Sequence, residues 1–368
     1  MRVLVTGADG FIGRNLVVAL GERGHTALPF TRATQAVELP GLVAAADAVV
    51  HLAGANRPPD PTGFQSDNAN LSRLLANALL SAGGPRRPVV FASSTQAAQD
   101  NPYGVSKRMA EDALMAATVV ADVQIFRLTN VFGKWARPFY NSAVATFCHC
   151  AARGEPLPIN DRSAPLKLIY VDDVVATFID ALENPLPGGQ LREAGPIHAT
   201  TVGEVADLLT TIAQGREALR VVETGSGLVR ALHATYLTHL PHDRFDYPLT
   251  VHGDARGIFV ETVKTPSAGQ FSFFTQKPGV VRGGHYHHSK SEKFVVVKGR
   301  ARFRFRHLLT GERVDVDASA DAPSVVDTIP GWVHDVMNMS DEDLVVLIWA
   351  NEVFDRDRPD TIAEKVDS

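Results

Sequence analysis

Along the first half of the chain, short β-branched apolar runs alternate with longer helix-compatible segments, as a parallel α/β sheet requires. The runs predict strands over 2–6, 25–30, 48–53, 88–92 and 123–128, with helices over 13–23, 70–82 and 102–117 between them. Past the Asn-Pro-Leu-Pro-Gly-Gly stretch at 184–189 strong strand signals lapse, and the chain reads as loop and then helix over 202–214. Around residue 242 the pattern changes to closely spaced alternating strands, over 270–275, 292–297, 301–307, 324–329 and 344–349, separated by Gly and Pro turns. Such spacing predicts an all-β sandwich or barrel of the jelly-roll kind. The boundary is placed near residue 245, giving a doubly wound α/β domain over 1–245 and an all-β domain over 246–368.

A chain of 368 residues is longer than one hydrophobic core usually serves, which agrees with two domains. With 45% hydrophobic and 21% charged residues and a formal charge of −5, nothing points to a nucleic acid or a membrane surface, and small molecules are the expected partners. Cys148 and Cys150 stand too close together to staple a large fold, and no apolar stretch reaches the ~20 residues of a spanning helix, so a cytoplasmic protein is expected.

The first candidate site opens with Gly7-Ala8-Asp9-Gly10-Phe11-Ile12-Gly13 directly after the first strand. Gly7 permits the tight turn, Gly10 lets a pyrophosphate approach the backbone, and Gly13 allows close helix–strand packing; Phe11 and Ile12 are counted in the same cofactor site. After the second strand, where a ribose hydroxyl usually meets an acid, the chain carries Arg32, which suits the 2′-phosphate of NADPH. Tyr103 and Lys107 share a helical face, so the ammonium is expected to lower the phenol's pKa. The phenol can then give a proton to a carbonyl oxygen as hydride reaches carbon. Ser94 is the favoured hydrogen-bond partner of that oxygen, ahead of Ser93 and Thr95.

The second candidate site is a metal tetrad. His285 and His287 alternate along a strand and so face one side, with Glu292 and His334 brought from neighbouring segments. Three imidazoles and a carboxylate suit zinc first, and also iron, nickel or manganese. His288 faces the other way and is read as outside the metal shell. Cys148 and Cys150 diverge on a helix and are discounted as ligands.

With the Gly7–Gly13 turn, His51-Leu52-Ala53-Gly54, the Ser94/Tyr103/Lys107 set, Asn130-Val131-Phe132-Gly133 and Tyr170-Val171-Asp172-Asp173-Val174, the first domain resembles a Rossmann-type extended short-chain dehydrogenase/reductase acting on nucleotide sugars. The resemblance implies that Leu52, Ala53 and Gly54 lie along the cofactor. It also implies that Asn130 begins the loop holding the sugar nucleotide, with Lys134, Arg137, Tyr140, Asn141 and Arg127 as contacts to phosphate or sugar. The tetrad with Gly299, Pro330-Gly331 and Asn338 resembles both halves of the cupin signature, and the segment 254–261 resembles the entry of deoxysugar 3,5-epimerase-like cupins, where Arg256 approaches the nucleotide sugar.

Taken together, the two halves resemble the bifunctional capsular-polysaccharide enzymes that make UDP-2-acetamido-2,6-dideoxy-β-L-talose on the route to UDP-N-acetyl-L-fucosamine. That resemblance implies a homodimer in which the cupin inverts C3 of a UDP-linked 4-keto-6-deoxy sugar and the reductase then reduces C4 with NADPH. Two other readings stay open. One is a reductase and epimerase of another UDP- or dTDP-4-keto deoxysugar, as in antibiotic or O-antigen assembly. The other is a C4 reductase whose cupin only dimerises or senses sugar. The base that takes the C3 proton is left among His334, His307 and Tyr286.

Overall fold

The computed structural model describes residues 1–54 and 65–367. They form two compact units, Met1–Leu209 with Arg230–Leu240, and Thr210–Val229 with the chain from Pro241 onward.

The first unit is built on β1 (Arg2–Thr6), β2 (Thr26–Phe30), β3 (Ala48–His51), β4 (Arg87–Ser94) and β5 (Ala121–Leu128). Their companion helices are α1 (Phe11–Glu22), α2 (Leu39–Ala45), α3 (Leu71–Ala82), α4 (Pro102–Met115), α5 (Ala143–Arg153) and α6 (Val171–Glu183). A small sheet holds β6 (Asn130–Phe132), β7 (Pro165–Tyr170) and β9 (Ile197–Thr201), while β8 (Gly189–Arg192) lies between β7 and β9 in sequence. Two further helices, α7 (Val202–Glu217) and α8 (Gly227–Leu237), are each divided between the two units, α7 after Leu209 and α8 before Arg230.

The main sheet has the order β2-β1-β3-β4-β5-β8, every neighbouring pair parallel. Val3, Leu4, Val5, Val49 and Val50 are fully buried because both faces are covered, which is why these strands read as unbroken apolar runs. Leu16 and Leu20 of α1 and Val174 and Phe178 of α6 cover one face; Leu39 and Val43 of α2, Leu75 and Leu79 of α3 and Leu114 of α4 cover the other. The strand order reverses at β1 and β3, so the crevice for a ligand opens at their carboxyl ends. β8 stands where the sequence predicts loop: Gly-Gln-Leu-Arg has no local strand preference, and pairing along β5 makes it extended.

The second unit contains β10 (Val251–Asp254), β11 (Gly257–Thr265), β12 (Gly269–Gln276), β13 (Val281–Tyr286), β14 (Glu292–Lys298) and β15 (Arg300–His307). It continues through β16 (Arg313–Ser319), β17 (Val325–Asp327), β18 (Trp332–Asn338), β19 (Leu344–Ala350) and β20 (Ile362–Ala363). Two sheets result, β10-β11-β12-β19-β14-β17 and β16-β15-β18-β13-β20, antiparallel throughout. Phe274, Phe294 and Val346 of the first pack with Phe303, Phe305 and Val336 of the second to form the core. The segment Thr210–Val229, expected with the first domain, belongs to this unit. The Val221 N–H donates to the Lys264 carbonyl at 2.9 Å and the Lys264 N–H to the Leu219 carbonyl at 2.7 Å, so backbone pairing draws the segment alongside β11.

Candidate functional site

At the carboxyl end of β1 the chain turns through Gly7, whose φ of +69° falls in the left-handed region that favours glycine. A side chain at Gly13 would lie 2.1 Å from the Gly7 carbonyl oxygen, so the third glycine is fixed by contact between turn and helix. No side chain caps α1 and no acidic residue stands in its first turn, which leaves its first N–H groups open to an anion. Phe11 and Ile12 pack on the sheet core. Arg32 is exposed just past β2, and Leu52, Ala53 and Gly54 follow β3, with Ala53 so close to the glycine turn that a side chain at Gly7 would lie 2.9 Å from its nitrogen.

Beneath that turn lies a chain of buried hydrogen bonds. Thr6 Oγ1 accepts the Leu52 and Ala53 N–H groups at 3.2 and 3.1 Å and meets His51 Nδ1 at 2.6 Å. His51 Nε2 lies 2.8 Å from Ser72 Oγ, which donates to the Asn68 carbonyl; Asn68 Nδ2 donates to Ser106 Oγ, which donates to the Tyr103 carbonyl. The backbone that would meet the cofactor is thereby tied to the start of α4. His51, fully buried and stacked 5.2 Å from Phe91, has its pKa pushed down to about 3 by burial and then by the Lys107 charge. Neither His51's partners nor Asn68 and Ser106 are readable from spacing, because they come from separate elements.

Ser94, at the end of β4, hydrogen-bonds the phenol of Tyr103, whereas Ser93 is buried and donates to Glu111 Oε1 at 2.5 Å. The expected lowering of the tyrosine pKa is corrected. Burial raises it, and only the Ser94 hydrogen bond opposes the rise. The reason is the place of Lys107. Its Nζ donates to the Ala92 carbonyl at 2.8 Å and lies 4.8 Å from the centre of the Phe91 ring, and burial draws its own pKa down to about 8 against the pull of Glu111. Arg127 is likewise not a free substrate contact: it clamps Glu111 through Nε at 3.0 Å and Nη2 at 2.7 Å.

Of the other residues implied for the sugar nucleotide, Lys134 pairs with Asp172, Arg137 lies over the Tyr140 ring at 5.5 Å, and Asn130 and Asn141 are exposed. Asn15 on α1 carries no motif that would single it out in the sequence. Buried, it donates to the Lys134 carbonyl at 3.2 Å and ties the cofactor helix to this loop.

In the second unit His285, His287, Glu292 and His334 converge, with ligand atoms within 4.8 Å of one another. β13 and β18 pair His285 with His334; His287 stands one residue past β13, its ring 5.1 Å from that of His285. His287 Nδ1 lies 2.6 Å from the Asp360 carbonyl, leaving Nε2 to face Glu292 Oε2 at 3.3 Å. Among the described residues His334 Nε2 is buried with no hydrogen-bond partner, 3.7 Å from the same Glu292 oxygen. Crowded imidazoles, a buried carboxylate and an orphaned ring nitrogen together fit a divalent cation. Burial, reinforced by His334, holds His285 near a pKa of about 4, so its ring is neutral and able to ligate at neutral pH. Burial opposes ionisation of Glu292, but the His287 and His334 imidazoles facing it and the Lys290 ammonium hold its carboxyl well below the usual range. His288 is exposed and edge-on to Tyr286, outside the tetrad as expected.

The tetrad opens into a cavity of about 350 Å³ that is largely apolar, with Glu261, Arg282, Lys290, Asp335 and Glu352 as charged groups at its wall beside Glu292. Neither Arg282 nor Lys290 is legible from alternation: Arg282, three residues before His285, reaches the cavity because the register of β13 shifts between Gly283 and His285, and Lys290 lies in the turn before β14. Arg256, expected near a nucleotide sugar, is half-exposed and paired with Asp254, its Nη2 at 2.5 Å. His307 accepts the Thr310 N–H at 3.0 Å in its own turn and stacks edge-on with Trp332.

Residues 3–193 match the NAD dependent epimerase/dehydratase family, and residues 252–362 match the polysaccharide biosynthesis C-terminal domain. The chain is 50% identical over 366 residues to the UDP-2-acetamido-2,6-beta-L-arabino-hexul-4-ose reductase of Pseudomonas aeruginosa, covering 99% of this chain and 98% of that one. The capsular polysaccharide assembling protein CapF from Staphylococcus aureus superposes over 100% of both chains with a TM-score of 0.89 and 37% identity. The protein MoeE5, solved in complex with UDP-glucuronic acid and NAD, shares the fold alone: 24% identity and a TM-score of 0.52 over 58% of this chain and 82% of that one.

Proposed function

Because this chain belongs to the NAD dependent epimerase/dehydratase family, we propose that it is a bifunctional nucleotide-sugar enzyme, a cupin C3-epimerase joined to an NADPH-dependent C4 ketoreductase. Its substrate is UDP-2-acetamido-2,6-dideoxy-4-hexulose and its product UDP-2-acetamido-2,6-dideoxy-L-talose. The observation that carries this reading is that likeness to a 4-ketose reductase runs through both units, not through the reductase half alone.

In the reductase the Tyr103 phenol gives its proton to O4 while Ser94 holds that oxygen and Lys107 supplies positive charge beneath. NADPH, when bound at the Gly7–Gly13 turn with Arg32 at its 2′-phosphate, supplies the hydride. In the cupin the ketone acidifies the C3 hydrogen, which is removed and returned on the opposite face. A divalent metal, zinc first among candidates, would be held by His285, His287, Glu292 and His334 and supplies a Lewis acid. At the cavity wall Lys290 is paired with Glu292 at 3.1 Å, which leaves Arg282, 3.7 Å from Asp254, as the cation that favours the enolate over the ketone. Reduction at C4 then removes the ketone and fixes the new configuration. A cytoplasmic homodimer completes the proposal; no helix among the described residues is long and apolar enough to cross a membrane.

The test is NMR of the product formed by the full chain from a UDP-4-keto-6-deoxy-HexNAc with NADPH in heavy water. Inverted C3 carrying deuterium, with a reduced C4, is the expected result. Reduction without deuterium at C3 would leave a simple C4 reductase with an inert cupin, and turnover of the dTDP-linked ketose in preference would move the substrate assignment.

A further inference from the structure

The buried ammonium beside the tetrad has no place in ligation or in the sequence motifs. Lys290 is 8% exposed, its Nζ 3.1 Å from Glu292 Oε1 and 5.8 Å from the centre of the Phe354 ring. The other carboxylate oxygen, Oε2, is the one that faces His287 Nε2 and His334 Nε2. Glu292 therefore presents one oxygen to the imidazoles and one to a cation. Its backbone is fixed as well: the Glu292 N–H donates to Thr328 Oγ1 at 2.8 Å, and the Lys290 N–H donates to the Asp360 carboxylate at 2.8 Å.

We infer that Lys290 is a positioning residue that restricts Glu292 to a single ligand oxygen and offsets its charge, keeping a coordination position open toward the cavity and the bound metal strongly electrophilic. This rests on the reading of the tetrad as a metal site. A carboxylate free of Lys290 can swing to chelate through both oxygens, which fills the open position, and loss of the neighbouring positive charge favours the dication. The sign is therefore unusual. Removing a group that orients a ligand ordinarily weakens metal affinity 10–100-fold, whereas removing Lys290 strengthens it.

The experiment uses the full chain, stripped of metal and reloaded with Co(II), as the unmodified protein and as Lys290→Met, Lys290→Gln and Lys290→Arg. Chelator competition gives the affinity and visible absorption reports coordination number. The expected result is that Met and Gln bind cobalt more tightly, on the order of tenfold, with weaker d–d bands as the coordination number rises, while Arg keeps the spectrum of the unmodified protein. Weaker binding, or an unchanged spectrum in both neutral variants, overturns the inference and leaves the metal reading standing. Failure of the unmodified protein to take up any metal overturns both. Using two neutral variants keeps the test decisive if one fails to fold.

Discussion

The two sites are finished to different degrees by the polypeptide alone. In the first unit the buried polar groups under the crevice answer one another, Asn15 Oδ1 excepted: Thr6, His51, Ser72, Asn68 and Ser106 form a continuous chain, and Ser93, Glu111 and Arg127 form another. In the second unit four ligating groups crowd together and His334 Nε2 is left without a hydrogen-bond partner among the described residues. A satisfied network holds its geometry before any ligand arrives, while an unsatisfied one stores a cost that an ion relieves. The reductase half should therefore keep its structure when ligands are withdrawn, and the cupin half should not.

The largest effect expected from breaking this contrast is on chemistry. Tyr103→Phe removes the proton donor while leaving the Ser94 and Lys107 surroundings in place, and should lower C4 reduction by roughly 10²–10⁴-fold. Deuterium exchange at C3 should continue unchanged, since the tetrad lies in the other unit. NADPH consumption and product NMR in heavy water read the two halves separately; normal oxidation of NADPH by the variant would remove Tyr103 from its role.

Next in size is His287→Ala. It deletes the imidazole whose Nδ1 is fixed by the Asp360 carbonyl, so metal affinity should fall by at least ~100-fold, beyond the loss typical of an orienting partner. Unfolding of the second unit should move to lower temperature because binding and folding are coupled, with the first unit's transition left in place. Stoichiometric metal by elemental analysis of the variant would contradict the assignment.

What could be read in the chain follows the same division between local and assembled features. The Gly7–Gly13 turn, the Tyr103/Lys107 spacing and the His285/His287 alternation are local patterns, and each was legible because one element carries it. Doubly wound and antiparallel architectures were legible because their periods differ. The direction of the Tyr103 shift was not, because the outcome depends on Lys107 turning onto Phe91 and the Ala92 carbonyl, a matter of packing between β4 and α4. Arg127 looked like a ligand contact until Glu111, sixteen residues earlier on α4, claimed its guanidinium. The segment 210–229 joins the second unit through two backbone hydrogen bonds to β11 and through Arg216, which donates to the Arg244 carbonyl at 2.7 Å and lies over the Tyr247 ring, all contacts between distant stretches of chain.

A smaller effect is expected at the cofactor pocket. Arg32→Glu should raise the KM for NADPH by roughly tenfold and leave that for NADH little changed, because an exposed cation is worth only about 1 kcal/mol or so against a solvated phosphate. Equal losses with both cofactors would show that the arginine serves the strand end and not the phosphate.

The smallest effect separates the satisfied network from its surroundings by pH. His51 has an ordinary pKa of 6.5 and a folded value of about 3, so the folded state keeps it neutral while the unfolded state takes up a proton below pH 6.5. Its contribution to stability is fully present above pH 6.5 and is lost as pH falls toward 3, with a slope of at most about 1.4 kcal/mol per pH unit. His51→Gln keeps a polar side chain between Thr6 and Ser72 but cannot titrate. The variant should be less stable by about 1–2 kcal/mol at pH 8, since one of two buried hydrogen bonds is lost or lengthened. It should also show a flatter fall between pH 6.5 and 4.5 than the unmodified chain in denaturant melts of the first unit. His239, held near a pKa of about 4 in the same unit, contributes to both curves and cancels in their difference. Parallel curves would mean that His51 is already charged in the folded state, which the stacking on Phe91 and the nearby Lys107 ammonium oppose.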